Sequence, residues 1–400
     1  MKTGLRLVIV GMMGRLPYAG VTWQILHYLE GFRRLGHDVY YIEDTGAWPF
    51  DPDKNCITDD STYAVNYISG MLDWCGLSDR WAYKATEQDG RIFGLSESHF
   101  ARVLGEADVL INLSSCTTLN EQHMRIPIRV YLETDPVRPQ IEIANGNPDT
   151  LSLLNAHTHH FSFGENLGAP DCDVPVKTFR YTPTRQPIIL DWWRPSSARQ
   201  SIPLTDGRFT TISSWRQADR DIEWQGELYT WSKHHQFLRF LDLPSRTAQA
   251  LELALAGDAD AVQLLTEHGW RVLDACNLSK SIGSYHDYIV GSRGEFTVAK
   301  DQYARLRSGW FSDRSACYLA AGRPVVTQDT GFGNIFPVGE GLFAFSSMDE
   351  ILAAFAAINS DYEKHQGAAR AIAEEYFRAE TVLRNLLDDL GLTVDRPANT

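Results

Sequence analysis

Residues 294–333, read GEFTVAKDQYARLRSGWFSDRSACYLAAGRPVVTQDTGFG, constrain the fold of this chain more than any other stretch. Ser312 and Asp313 offer side-chain oxygens for a helix N-cap, Ala316, Tyr318, Leu319 and Ala320 continue the helix, and Gly322 stops it. Pro324 fits only the edge or the first position of the strand that follows. Val325 and Val326 read as buried in a parallel sheet, and Thr330-Gly331-Phe332-Gly333 turns the chain at the strand's carboxyl end. Helix, strand and glycine turn together present a helix N-terminus and a loop of free amides to one crevice. Anions bind at such places.

The rest of the chain alternates in the same way. Residues 5–10 are an apolar strand, Gly11, Gly14 and Gly20 surround a loop, and an amphipathic helix over 22–35 leads to a strand over 39–42 that closes on Glu43 and Asp44. This is a βαβ opening of Rossmann type. The loop GMMGRLPYAG is too long for G-x-G-x-x-G, so a dinucleotide site at Gly11 is the weaker reading. Residues 45–100 are less regular, with a helix over 62–72, and are expected to form a variable insertion. Strands over 107–113, 129–132 and 160–163 end in Ser114-Ser115-Cys116, Glu133-Thr134-Asp135 and Gly164-Glu165-Asn166. Polar residues at successive strand ends collect along one sheet edge, where open α/β sheets hold ligands. A proline-rich stretch follows, and from Arg208 a second strand–helix series repeats the pattern. It places Arg216 after the strand 209–212 and Lys233 before a helix running to about 241.

The 294–333 segment resembles the donor site of nucleotide-sugar glycosyltransferases with the two-Rossmann-domain GT-B architecture. The resemblance is carried by the helix followed by A-G-R-P-V-V, the acidic strand end before it and the glycine turn after it. It implies an α/β chain in which two Rossmann-like domains face a central cleft, with a C-terminal helix crossing back to the N-terminal domain. The corresponding divisions are 1–182 for the acceptor domain, 183–207 for the linker, 208–370 for the donor domain and 371–400 for the crossing helix. The implied reaction moves a sugar from a nucleotide-diphosphate donor to an acceptor, with the nucleotide sugar as substrate, no cofactor and no catalytic metal. Retaining members usually carry E-x7-E, whose second Glu aligns with Cys317. Here Asp313, Arg314 and Ser315, one turn earlier, would take over its work. The loop bearing Tyr18, Gly20 and Thr22 would face the acceptor. A nucleotide-sugar epimerase of the same fold and a non-catalytic nucleotide-sugar binding protein are the rival readings.

Each candidate has a plainer role beside the functional one. Arg314, Ser315 and the amides of Thr330, Gly331 and Gly333 suit a diphosphate, because the helix start and the glycine turn are expected side by side. Glu295 is either a cap or an acceptor for sugar or ribose hydroxyls. The resemblance raises Arg216 and Lys233 to phosphate partners, whereas Lys300 reads as an ordinary surface lysine. Asp135 and Glu165 are the acid/base candidates, since a carboxylate within reach of an acceptor hydroxyl can take its proton. His27 and His37 read as surface or loop residues. His157, His159 and His160 lack a carboxylate or cysteine at matching spacing and read as a strand-edge cluster, not a metal site. Trp192, Trp193, Trp215, Trp224 and Trp231 read mostly as core.

Composition sets the outer bounds. At 400 residues the chain is long enough for two domains of the usual ~100–150 residues. A formal net charge of −14 opposes a nucleic-acid or anionic-membrane binder, which needs a positive field. The six cysteines are scattered without a C-x-x-C pair, as reduced thiols of a cytoplasmic protein would be. No transmembrane segment is expected, because no apolar run approaches ~18 residues.

Overall fold

The computed structural model describes residues 4–194, 207–217 and 219–392. Its first half contains β1 (Arg6–Val10), β2 (Asp38–Glu43), β3 (Phe50–Asp51), β4 (Cys56–Ile57), β5 (Trp81–Lys84), β6 (Ile92–Gly94), β7 (Val109–Leu113), β8 (Ile128–Glu133), β9 (His159–Ser162) and β10 (Thr182–Pro183). Apart from the β3–β4 hairpin, these strands make one sheet in the order β10-β9-β8-β7-β1-β2-β5-β6, parallel except at the β5–β6 edge. Leu7 to Val10 and Val109 to Ile111 are wholly buried, as apolar runs in a parallel sheet covered on both faces must be. The stretch 45–100 is more than an insertion: β5 and β6 extend this sheet, and Ile68 and Leu72 of the helix Thr62–Trp74 enter its core.

The second half contains β11 (Phe209–Ser214), β12 (Ile222–Trp224), β13 (Glu227–Tyr229), β14 (Leu251–Ala256), β15 (Arg271–Asp274), β16 (Gly294–Thr297), β17 (Val325–Gln328) and β18 (Leu342–Phe345). Its sheet runs β15-β14-β11-β16-β17-β18, and β12 and β13 form a separate hairpin. In each sheet the order reverses once, at β7 beside β1 and at β11 beside β16. The crevice outside the carboxyl ends at such a reversal is the ligand position of open α/β sheets.

The helix Ala19–Arg34 begins three positions earlier than its pattern suggests and carries the packing between layers. A Cβ on Gly31 would lie 2.4 Å from Leu383 Cδ1, so glycine here permits close approach of the last helix, Ala379–Asp389. Leu383, Leu386 and Leu387 of that helix share a core with Leu7, Ile9, Tyr28 and Phe32. Each such leucine contributes about 1.5–3 kcal/mol by burial. A second core, containing Trp23, Leu26, Trp193, Ile289, Cys317 and Phe377, joins the two halves.

The expected linker 183–207 falls partly on residues 195–206, outside the described residues. Its first part is packed: Ile188 bridges to Arg378, and Ile189 and Trp193 are buried. His27 is not a surface residue. Its ring lies 3.1 Å from both the Ile189 amide and Trp193 Nε1, and burial followed by nearby Arg34 lowers its pKa to about 3, so the ring is neutral and accepts from one of them. His37 is likewise buried, and its Nδ1 accepts from the Leu5 amide at 3.2 Å. Among the described residues no helix is long and apolar enough to cross a membrane.

The glycine loop after β1 is filled from within. Glu43 accepts from the Gly14 and Arg15 amides at 2.8 and 2.6 Å and from Tyr41 OH at 2.5 Å. Burial nonetheless outweighs these bonds and raises its pKa from 4.5 to about 7. Between those values the native carboxyl holds a proton that the unfolded one has lost, so stability falls as pH rises through this window. Urea unfolding of Glu43→Gln is expected to lose that part of the pH dependence. A difference between pH 5 and pH 8 as large as the wild type's would assign it elsewhere.

Candidate functional site

At the carboxyl end of β8 the chain passes through Glu133 and Thr134 to Asp135, which reaches across to the second half. Asp135 Oδ1 lies 2.8 Å from Lys300 Nζ and 2.5 Å from Tyr303 OH, both just beyond β16. Burial works against the Asp135 charge, but Lys300, Tyr303 and Arg220 outweigh it and hold the carboxyl below its usual range. Trp310 Nε1 donates to the Thr134 carbonyl at 2.9 Å, so the backbone beside Asp135 is held from the same side.

Asp313 opens the helix Asp313–Ala320 facing this point. Burial raises its carboxyl to about 7 despite a hydrogen bond from Gln24, and Asp135 adds to the shift, so the two carboxylates sense each other. Gln24 also accepts from Ser114 Oγ at 3.2 Å, at the end of β7. The strand ends of the first sheet and the first residue of the 313–320 helix therefore converge.

Lys233 comes after the β12–β13 hairpin, at the start of the short helix His234–Leu238, and is tied back to the end of β11 by the His234 amide donating to the Trp215 carbonyl at 3.2 Å. It is buried, and no acid hydrogen-bonds or ion-pairs with it among the described residues. Burial first, then repulsion from Arg314 and Lys300, pushes its pKa well below that of a free lysine, against the attraction of Glu295 and Asp135. Lys233 Nζ lies 5.8 Å from the Trp310 ring centroid. Separately, Trp215, Arg216, Gly257, Asp258, Asp274 and Lys280 line a cavity of about 1040 Å³ at the carboxyl ends of β11, β14 and β15, which Pro52 and Asn55 of the first half also reach. A cavity of that size at strand carboxyl ends is a place for a ligand of nucleoside size.

Solved structures of similar architecture were found over the full length of the chain. Anabaena Alr3699/HepE in complex with UDP and glucose matches with TM-score 0.54 and 13% identity over 97% of this chain and 100% of that one. An alpha-glucosyltransferase in complex with UDP and a mismatch-containing 13-mer DNA matches with TM-score 0.54 and 11% identity, over 98% and 100%. AviGT4, a glycosyltransferase involved in avilamycin A biosynthesis, matches with TM-score 0.51 and 13% identity, over 98% of each. The chain has the GT-B fold. No protein-family model and no curated protein matches it.

Several residues expected at the GT-B donor site are turned elsewhere. Arg314 does not face the glycine turn: its guanidinium donates to Glu295 Oε1 at 2.5 Å, the Ile212 carbonyl at 2.7 Å and Thr297 Oγ1 at 3.0 Å. Glu295 and Ser315 are wholly buried, which withdraws the former from ribose or sugar hydroxyls and the latter from phosphate. Thr330 Oγ1 donates to the Trp310 carbonyl and the Gly331 amide to Asp329, while Gly333 sits in the short helical turn Phe332–Asn334. A Cβ on Gly331 would lie 2.9 Å from Asn166 Nδ2, so the turn seals the seam between the halves. Ser312 occupies the N-cap position without a side-chain bond. Arg216 is exposed, 3.5 Å from Asp258, on the cavity rim.

On the other side of the GT-B cleft, Glu165 binds Arg185 at 2.5 Å and shares a separate depression with Thr381 and Asn385 of the last helix, so it is not placed with Asp135. Thr22 is buried against Tyr67 OH at 2.8 Å, and Gly20 lies against Tyr285. Tyr18 is half-buried, its ring centroid 5.8 Å from that of Phe50, with Cys276 and Asp274 of the second half in electrostatic reach. His157 and His160 engage the Leu153 and Leu154 carbonyls, and His159 engages Thr158. Sequence reasoning does not single out Lys300, Tyr303 or Gln24 as site residues. For Lys300 a signal is present: it closes the strand at the second reversal point, the same placement that singles out Asp135.

Proposed function

We propose that the protein is a hexosyltransferase-like, metal-independent glycosyltransferase, with the donor held by residues 208–370 and the acceptor by residues 1–182. Lys233 carries this reading. A buried amine with no acid hydrogen-bonded to it among the described residues suits a diphosphate, and the cavity at the ends of β11, β14 and β15 suits the nucleoside joined to it. UDP-glucose is the first donor to test, because Alr3699/HepE was also solved with it. A net charge of −14 opposes a nucleic-acid acceptor such as the DNA solved with the alpha-glucosyltransferase.

In the proposed reaction the acceptor oxygen bonds to the anomeric carbon, the bond from that carbon to the diphosphate oxygen breaks, and the acceptor proton passes to Asp135. Lys233 meets the charge that develops on the departing diphosphate. Incubation with UDP-glucose and other nucleotide sugars, without acceptor, tests the class of reaction. Slow hydrolysis supports the transferase; isomerised sugar would show an epimerase, and binding without turnover a non-catalytic protein.

The Lys233 assignment has its own readout. Its lowered pKa means that a bound diphosphate, by stabilising the ammonium, draws a proton from solution. Calorimetric titration of UDP over a pH series, in buffers of different ionisation enthalpy, is expected to show this uptake grow as pH rises. Lys233→Met should abolish it and weaken affinity about tenfold or more, as loss of a charge-assisted hydrogen bond does. Equal affinity and no uptake in the wild type would remove Lys233 from the site.

A further inference from the structure

We propose that Lys300 and Tyr303, carried by the second domain, position Asp135 by gripping one carboxylate oxygen and leaving the other to the acceptor hydroxyl. This rests on the reading of Asp135 as the base. Both donors meet Oδ1, and among the described residues no hydrogen bond is made to Oδ2. The Asp135 side chain is 43% exposed, so Oδ2 is the oxygen that an acceptor hydroxyl can reach.

The grip is itself held. Lys300 Nζ lies 3.2 Å from the Trp231 ring centroid and 3.2 Å from Tyr303 OH. Tyr303 is wholly buried, its ring 4.7 Å from that of Trp310, which in turn binds the carbonyl before Asp135. The carboxylate and its backbone are thus fixed by one aromatic block of the opposite domain. A general base must be oriented before it is useful, and fixing one oxygen with two donors removes the rotation that would misdirect the other. Tyr303, Lys300, Lys233, Arg220 and Asp313 all face Asp135 from the second domain, and Glu133 precedes it at the end of β8. Lys300 and Arg220 keep Asp135 ionised, and Lys300 is the one in contact.

The test reads UDP release from UDP-glucose with water as acceptor, alongside the Asp135 carboxyl titration followed by carbon-13 labelling and assigned by its loss in Asp135→Asn. In Lys300→Met the carboxyl pKa is expected to rise by about one unit or more. In Lys300→Met and Tyr303→Phe, kcat should fall about tenfold with donor KM unchanged, and Lys300→Arg should restore the pKa. If Lys300→Met does not fold, Tyr303→Phe and Lys300→Arg decide. Folded variants that keep both the wild-type pKa and rate, while Asp135→Asn is inactive, overturn the positioning role alone. An active Asp135→Asn overturns the reading of Asp135 itself.

Discussion

Asp135→Asn is expected to lower transfer by about 10²- to 10⁴-fold and leave nucleotide affinity unchanged. The amide preserves the shape of the side chain but cannot take the acceptor's proton. Donor binding survives because Asp135 does not line the cavity at β11, β14 and β15. Lys300 complicates a simple loss-of-charge experiment, since it keeps Tyr303 and Trp231 but loses its anionic partner. The comparison must therefore be made on folded protein that binds UDP. Near-normal turnover in such protein would return Asp135 to a structural role and favour a retaining reaction that needs no base.

Arg314→Ala is expected to destabilise the fold by about 3–5 kcal/mol, as breaking one partner from a buried ion pair does. Glu295 is wholly buried and would be left without its cation, and the Ile212 carbonyl and Thr297 hydroxyl would lose their donor. Urea unfolding measures the loss directly. A stability within about 1 kcal/mol of the wild type, combined with weakened UDP binding, would put Arg314 back at the phosphate.

Asp135 and Arg314 mark where the amino-acid sequence is legible and where it is not. Strand-end placement is a backbone property, visible in apolar runs and the polar residues that close them. It places Asp135 beyond the end of β8, and it marks out the two Rossmann-like halves. Side-chain direction at a helix start is decided by tertiary neighbours, and no local pattern shows that Glu295 will turn Arg314 inward. The glycine turn misleads for a related reason. Glycine at Gly331 signals a positive φ of 92° and a close approach, but the approaching group is Asn166 of the other domain and not a phosphate. Glu165 lies beyond the end of β9 and is claimed by Arg185, a partner 20 residues away. Lys300 escapes notice because lysine is so often a solvated surface residue, although a strand at a reversal point is a poor place for an idle charge.

A crystal structure with UDP bound tests the central claim most directly. The expected result places the diphosphate within hydrogen-bonding distance of Lys233 Nζ and the nucleoside in the cavity walled by Trp215, Gly257 and Asp274. UDP bound in the loop after β1, or contacts that leave Lys233 without the diphosphate, would contradict it.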